Sequence, residues 1–200
     1  MSFAPVYYHR LKYFLSPQVD LYKNILQRFG DGRVVLDYGC ATGFGTLQLI
    51  GHENSVIGVD SDREAIDFAN YILGNGRLHF SCWDFTKDVA GFRAEVGGDI
   101  TVLSLITCVE VIEHIEDPIP LLRFFKKILR QDGHIVLSTL NHNSQYRKNN
   151  DHITKYNCES FFEMIFKALG SYPELFDFRF YPLLDFKSSI TPIVAVWQNK

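Results

Sequence analysis

The sequence has little that would indicate a secreted, zinc-binding or nucleic-acid-binding protein. Its cysteines, Cys40, Cys82, Cys108 and Cys158, are far apart, with no CxxC pair and no Cys/His spacing typical of zinc. Reduced, mostly buried thiols in a cytosolic protein are therefore expected. The formal charge of −3 provides no electrostatic footprint for nucleic acid or an anionic membrane, so neither is the expected partner.

The chain also lacks a segment that would direct it to a membrane or across one. Residues 1–10 contain no basic region followed by an apolar run, which argues against a secretion signal. The longest nearly apolar run, Ile100–Ile112, is interrupted by Glu110 and is shorter than the about 20 residues of a membrane-spanning helix. We expect a cytoplasmic protein, a monomer or a homodimer, without a membrane span.

The length and composition favour one domain. A chain of 200 residues that is 46% hydrophobic can bury a substantial core, but it is too short for two ordinary domains. Within it we expect a helical extension over residues 1–33, a core over residues 34–140, and a lid with C-terminal strands over residues 141–200. The lid is predicted because residues 141–156 are polar and show no periodicity.

The stretch Val34–Gly45, VVLDYGCATGFG, predicts a strand, a glycine-rich turn and a helix. Asp37 lies near the carboxyl end of the apolar run, and the glycines let the backbone turn sharply and approach a ligand. A helix that begins near Gly45 would present its free N–H groups to that ligand. The spacing is not the GxGxxG of a dinucleotide fold. The turn alone leaves open another nucleotide site or a packing turn.

The chain downstream of the turn alternates between strands and helices. Val56–Val59 predicts a second strand that ends in Asp60, 23 residues after Asp37, where an acid commonly accepts ribose hydroxyls. Ser61 and Glu64 predict a capping box for the next helix. This alternation predicts a doubly wound, mostly parallel α/β sheet.

Hydrophobic patterning also places the remaining elements. The predicted helices begin at Ser16-Pro17 and run to Gly30, cover Asp62–Leu73, follow Asp117-Pro118, and cover Asn157–Leu169. The predicted strands are Leu78–Cys82, residues 100–106, Ile135–Leu140 after a QDGH turn, Phe176–Tyr181 and Pro192–Trp197.

Three features in this order resemble class I S-adenosylmethionine-dependent methyltransferases. They are the acid and glycine turn, with Ala41 in place of the middle glycine of GxGxG, the acid Asp60 after the second strand, and the segment CVEVIEHIEDP after the fourth. The resemblance covers roughly residues 34 to 140. It implies a Rossmann-like seven-stranded sheet whose last strand is antiparallel, and S-adenosylmethionine as the cofactor.

The resemblance also assigns residues to parts of the cofactor. It places the turn at the methionine part, the second-strand acid at the ribose, and an acid with a neighbouring ring at the adenine. Cys108 would line the pocket as a small apolar group, and Asp84 could instead be a turn residue. The residues concerned are Asp37, Gly39, Cys40, Ala41 and Gly43 for the turn, Asp60 and Ser61 for the ribose, and Asp84 and Phe85 for the adenine.

Methyl transfer from a sulfonium needs little covalent help from the protein, because the cofactor carries the reactive group. The protein must align the acceptor with the methyl group and, for a hydroxyl acceptor, take up a proton. His114, which closely follows the fourth strand, is the predicted base, since its pKa lies near working pH. The expected reaction is O-methylation of a small molecule.

Glu110, Glu113 and His114 support a metal-dependent alternative. Positions i, i+3 and i+4 of a helical turn project to one side, and His152 could add a ligand for a divalent ion. This pattern resembles metal-dependent RNA 3′-terminal 2′-O-methyltransferases, whereas STLNHN and the EH segment are similar to ubiquinone-pathway O-methyltransferases. A binding module that keeps the fold without turnover is the third possibility.

Overall fold

Strands and helices alternate along most of the chain. The computed structural model describes residues 18–30, 34–85, 92, 103–143, 152–187, 189 and 191–200. Its strands are β1 (Val34–Tyr38), β2 (Ser55–Asp60), β3 (Leu78–Cys82), β4 (Leu103–Val109), β5 (Leu129–Thr139), β6 (Glu174–Phe176) and β7 (Ile193–Gln198). They form one sheet in the order β3-β2-β1-β4-β5-β7-β6, which confirms the expected fold class.

The described helices are α1 (Gln18–Phe29), α2 (Phe44–Gln48), α3 (Arg63–Leu73), α4 (Ile119–Ile128) and α5 (Cys158–Leu169), with a 3-10 helix at Ile112–His114. Among the described residues, no helix is both long enough and apolar enough to cross a membrane. The chain divides into two units, residues 1–105 and 106–200. The single-domain organisation stays a prediction.

Parallel strands form the centre of the first unit. Val35 of β1 lies opposite Val56 of β2, and Val56 lies opposite Leu78 of β3. Helix α1 confirms the helical extension for residues 18–29 and buries Leu21, Tyr22 and Ile25. Residues 1–17, with the Ser16-Pro17 helix start, and residues 31–33 lie outside the described part of the chain.

Helix α3 begins one residue later than the capping-box prediction requires. The Asp62 carboxylate accepts hydrogen bonds from the N–H groups of Glu64 and Ala65, so Asp62 rather than Ser61 is the N-cap. The apolar positions Ala65, Ile66, Ala69, Ile72 and Leu73 recur at helical spacing and predict the buried face, but Ile72 is 45% exposed whereas Phe68 is buried.

Antiparallel pairing organises the end of the second unit. Strand β7 pairs antiparallel with both β5 and β6, as predicted. The predicted QDGH turn is wrong, because β5 starts directly after α4 and runs through these residues. Asp132 departs from extended backbone, with a left-handed φ of 61°. Its N–H donates to the Asn199 carbonyl, and the Asn199 N–H donates to the Gly133 carbonyl, so the pairing continues across this bend.

Two other predicted boundaries differ from the structure. Strand β6 ends at Phe176 because the Asp177 carboxylate accepts the N–H groups of Arg179 and Tyr181 and turns the chain. Strand β4 continues three residues past the predicted end at Ile106, and residues 100–102 lie outside the described ranges. Helix α5 has the predicted extent, with Asn157 as its N-cap.

Candidate active site

The turn after β1 is a tight left-handed backbone path. Gly39, Ala41 and Gly43 have φ angles of 77°, 46° and 81°. The N–H groups of Gly39 and Cys40 donate to the carbonyl of Val59 at 2.7 and 3.1 Å, so the turn lies against the end of β2. Ala41, which replaces the middle glycine of the family pattern, adopts the strained region as well.

Position 43 requires glycine both because its φ angle is positive and because there is no room for a Cβ atom. A Cβ atom at this position would lie 2.5 Å from the ring of Phe80, closer than any real contact. Because Phe80 belongs to β3 and Gly43 precedes α2, the absence of this atom allows the turn to approach the sheet.

Asp37 is fully buried and holds two helices to β1. Its carboxylate accepts hydrogen bonds from the Thr46 hydroxyl at 2.7 Å and the Tyr22 hydroxyl at 3.3 Å. Sequence reasoning had not assigned a role to either hydroxyl. The signal available was a buried acid at a strand end, which needs donors from nearby elements.

Asp60 braces the same turn from β2. One carboxylate oxygen accepts the Ala41 N–H at 2.8 Å, and the other accepts the Asp62 N–H at 2.9 Å. Asp60 is half-buried, whereas the neighbouring Ser61 is exposed. The predicted ribose acid is therefore preorganised, because the backbone of the turn and of the following helix start fixes its orientation.

Cys40 lies in the interior of the turn as a neutral thiol. Burial raises its pKa well above the ordinary value, and the negative charges of Asp37 and Asp60 add to this rise. A thiol with a raised pKa is a poor nucleophile. Cys108 on β4 is likewise buried.

The predicted adenine segment follows β3. Trp83 is 4% exposed, and its backbone N–H donates to the Asp60 carbonyl at 2.9 Å. The centre of its ring lies 4.6 Å from that of Phe92 and 6.0 Å from that of Phe85. Asp84 and Phe85 are half-buried. The segment is thus anchored by Trp83, while its two neighbours retain exposed surface.

In the second unit, the predicted helical turn from Glu110 to His114 is shorter than expected. Glu110 has φ 55° and its N–H donates to the Ser138 carbonyl at 3.0 Å, so it precedes the 3-10 helix rather than belonging to it. Ligand atoms of Glu113, His114 and His152 all lie within 4.8 Å of one another. Glu110, which was predicted as a further ligand, is not part of this group.

Glu113 is the most unusual group of this cluster. It is 1% exposed, and neither of its carboxylate oxygens has a hydrogen-bond partner. Burial raises its pKa from 4.5 to about 7, and the Glu110 charge adds to the rise. The Thr139 hydroxyl and the N–H groups of Glu113 and Leu140 lower this pKa, but none reaches hydrogen-bond geometry with the carboxylate.

Backbone contacts bring His152 to this carboxylate. The carbonyl of Glu113 accepts the N–H groups of Ile153 and Thr154 at 2.9 and 3.1 Å. The rings of His114 and His152 are perpendicular, with centroids 4.9 Å apart. Two imidazoles and one carboxylate form a donor set that suits divalent transition metals. The unpaired buried carboxylate fits a cation, because an isolated buried charge is otherwise costly.

The predicted lid is described only at its ends, because residues 144–151 lie outside the described part. The Asn141 N–H donates to Thr191 Oγ1 at 3.1 Å, and the His142 N–H donates to the carbonyl of Tyr156 at 2.7 Å. Beside these ends lies an open pocket of about 520 Å³, lined by Asn143, Asn157, Glu159, Leu184, Asp185, Phe186 and Lys187.

Comparison with known proteins indicates the same family as the one that the glycine turn resembles. A family model described as a methyltransferase domain matches residues 7–170. The chain belongs to this methyltransferase family. It is 30% identical over 113 residues to a ubiquinone biosynthesis O-methyltransferase of Aliivibrio fischeri, which covers 56% of this chain and 46% of that protein. A protein of the same description from Coxiella burnetii is 31% identical over 117 residues, 56% and 45% of the two chains.

The chain spans about half the length of these curated relatives. Solved structures share its fold at low identity. A putative methyltransferase of Haloferax volcanii, in complex with the activator Trm112, has a TM-score of 0.71 at 17% identity over 95% of this chain and 92% of that one. The N-terminal domain of EvdMO1 with SAH bound has a TM-score of 0.66 at 18% identity, covering 94% and 84%.

Each of the two units contains part of the predicted site. The first unit brings the turn, Asp60 and the Trp83–Phe85 segment to the ends of β1, β2 and β3. The second unit brings Glu113, His114 and His152 together and leaves Glu110 outside that group. Thr139 beside Glu113 was not predicted; its signal is the hydroxyl pair of STLN at the end of β5.

Proposed function

We propose that the chain is an S-adenosylmethionine-dependent methyltransferase that methylates an oxygen atom of a small molecule in the cytoplasm. The observation that carries this proposal is the left-handed turn braced by the half-buried carboxylate of Asp60. The O-methyltransferase relatives and the fold shared with a domain that binds SAH support it. None of the four cysteines, all of which lie in the described part of the chain, forms a disulfide, which supports the location.

The cofactor would supply an activated methyl group on a sulfonium, so the protein has to bind and orient it. The turn from Gly39 to Gly43 approaches with bare backbone, and Asp60 offers a fixed acceptor for ribose hydroxyls. Asp84 and Phe85 would meet the adenine, and Cys108 would line the pocket. Asp37, which is fully buried, acts as a positioning residue by fixing α2 and hence the turn.

The acceptor hydroxyl has to lose a proton as the methyl group is transferred. His114 is exposed and able to receive that proton, and the buried carboxyl of Glu113 is its neighbour in the chain. The polar pocket beside the lid ends is large enough for a small organic acceptor, and it combines the ring of Phe186 with the charges of Glu159, Asp185 and Lys187.

As an alternative to proton uptake by His114, we propose that Glu113, His114 and His152 hold a divalent ion, which would polarise the acceptor hydroxyl when bound. The position of His152 favours a second candidate function, the metal-dependent methylation of an RNA 3′-terminal 2′-hydroxyl. In either case Glu113 would supply a negative charge to the ion, and the two imidazoles would supply neutral nitrogen ligands.

The cofactor part is tested by calorimetric titration of S-adenosylmethionine into the wild type and Asp60→Ala, with and without Mn²⁺. Binding by the wild type that weakens at least about tenfold in the variant supports the assignment. The absence of binding to the wild type in both buffers contradicts it.

The acceptor is tested by methylation of a panel of phenols and sugars and of RNA ending in a 2′-hydroxyl or a 2′-deoxy nucleotide. Turnover of a small molecule supports the first candidate. Turnover confined to the 2′-hydroxyl RNA and abolished by chelator supports the second. Cofactor binding without turnover on any acceptor supports a non-catalytic binding module.

A further inference from the structure

Three side chains of the second unit carry buried polar atoms that have no hydrogen-bond partner. They are both carboxylate oxygens of Glu113, the hydroxyl of Ser138 and the hydroxyl of Thr139, and no other described residue has such an atom. Their exposed fractions are 1%, 0% and 1%. A buried polar group without a partner costs about 1–3 kcal/mol, so the fold retains these groups at the expense of stability.

The two hydroxyls belong to neighbouring residues of β5 and therefore point to opposite faces of the sheet. The Ser138 carbonyl accepts the Glu110 N–H, which places the end of β5 beside the segment that leads to Glu113. Thr139 is the hydroxyl on the Glu113 side, where it favours the ionised form of that carboxyl. Ser138 is its counterpart on the other face.

We propose that Thr139 is a positioning residue whose hydroxyl donates a hydrogen bond to the ionised carboxylate of Glu113 and directs its other oxygen at the bound cation. This inference rests on the metal site of the proposed function. An ionised carboxylate is an acceptor with several lone pairs, so it serves a hydroxyl and a cation at once. Groups that orient a metal ligand in this way change metal affinity by about 10–100-fold.

The Thr139 hydroxyl has no hydrogen-bond partner in the metal-free protein, so a positioning role and a structural role predict different results for its removal. Thr139→Val keeps the branched shape and removes a buried hydroxyl that has no partner, so the metal-free protein loses no hydrogen bond. Its melting temperature in chelator is therefore expected to equal or exceed that of the wild type. Its metal affinity is expected to fall although its stability does not. A residue that only packs in the core would not produce this combination.

The test is calorimetric titration of Mn²⁺ into the full chain of the wild type, Thr139→Val, Thr139→Ser and Ser138→Ala, with melting temperatures in EDTA. Thr139→Val is expected to bind Mn²⁺ at least about tenfold more weakly than the wild type. Thr139→Ser, which restores the donor, and Ser138→Ala, which removes the hydroxyl on the other face, are expected to bind within about twofold of the wild type.

Equal Mn²⁺ affinity of Thr139→Val and the wild type would overturn the inference. It is also overturned if Thr139→Ser is as weak as Thr139→Val, or if Thr139→Val melts well below the wild type in EDTA. If the wild type itself fails to bind Mn²⁺, then the metal site of the proposed function is wrong and the role of Thr139 is wrong with it. The cofactor titration on Asp60→Ala is unaffected by that result.

Discussion

The backbone N–H of Ala41 donates a 2.8 Å hydrogen bond to the carboxylate of Asp60, 19 residues later in the chain. This bond joins the turn after β1 to the end of β2, and the second oxygen of Asp60 is held by the Asp62 N–H. The acid expected to bind the cofactor therefore also shapes the loop that surrounds it. Changes at Asp60 should act on ligand affinity through both effects.

Asp60→Ala is expected to lower affinity for S-adenosylmethionine at least tenfold, about 1.4 kcal/mol, because the ribose acceptor and the brace of the turn are both lost. Isothermal titration calorimetry measures the effect. Asp62→Ala is the matched control, since it removes the N-cap of α3 without touching the turn. It should reduce stability by about 1 kcal/mol and leave the affinity within twofold. Equal losses of affinity in both variants would contradict this role for Asp60.

Gly43→Ala should lower the free energy of unfolding by at least about 2 kcal/mol. Its φ of 81° is unfavourable for alanine by about 1–2 kcal/mol, and the new Cβ would lie 2.5 Å from Phe80. Urea denaturation of the wild type and variant gives the difference. Gly76→Ala is the comparison, because no atom lies within 4 Å of its added Cβ, and a change within about 0.5 kcal/mol is expected there.

Thr46→Val should destabilise the protein by about 1.5–3 kcal/mol, because the buried carboxylate of Asp37 loses its 2.7 Å hydrogen bond. Thr46→Ser keeps the hydroxyl and should recover most of the loss. Chemical denaturation of the three proteins at one pH is the measurement. If valine and serine variants are equally unstable, then the methyl group rather than the hydroxyl matters at this position.

Glu113 predicts a pH dependence for the metal-free protein. Because its pKa rises from 4.5 to about 7 on folding, the native state binds more protons than the unfolded state between these values. Its effect on stability is absent below pH 4.5, and stability then falls as pH rises through about 7, by up to about 3 kcal/mol. Urea denaturation in EDTA from pH 5 to 8 should show that the free energy of unfolding of Glu113→Gln increases relative to that of the wild type as pH rises. A constant difference between the two proteins would contradict the buried carboxyl.

His152→Ala should abolish measurable Mn²⁺ binding, since it removes one of three donors that lie within 4.8 Å of one another. Calorimetric titration of Mn²⁺ measures this, with His142→Ala as the matched control. His142 is exposed and is not a member of that group, so its variant should bind like the wild type. If His152→Ala still binds Mn²⁺, then His152 is not a ligand of the ion and the proposed set of ligands is wrong.

Local pattern predicted those elements whose signals are local. Strand β3 has the predicted bounds, Leu78–Cys82, because apolar and polar residues alternate over Leu78–Ser81 between a glycine turn and Trp83. Strand β6 does not, because Asp177 binds two backbone N–H groups and ends an otherwise strand-forming sequence. Whether a side chain turns its own backbone in this way depends on contacts that propensity does not encode.

In the site as well, features set by the local sequence were predicted, whereas features that depend on tertiary contacts were not. Asp60 was assigned from its position after an apolar strand, and its distance from the turn follows from the strand and helix lengths. Tyr22 and Thr46 were missed as partners of Asp37, because their contact depends on how α1 and α2 pack. His152 was predicted as a possible further ligand beside Glu113, but its position depends on backbone bonds from Ile153 and Thr154 that have no sequence signature.

The aromatic packing of Trp83 has an optical consequence. The chain has two tryptophans, Trp83 in the first unit and Trp197 in the second, where its ring N–H donates to Ser171 at 2.7 Å. Replacing Trp197 by phenylalanine leaves one indole, enclosed by the rings of Tyr38, Phe85 and Phe92. The emission of that variant follows the first unit alone, so fluorescence can time its unfolding without a label.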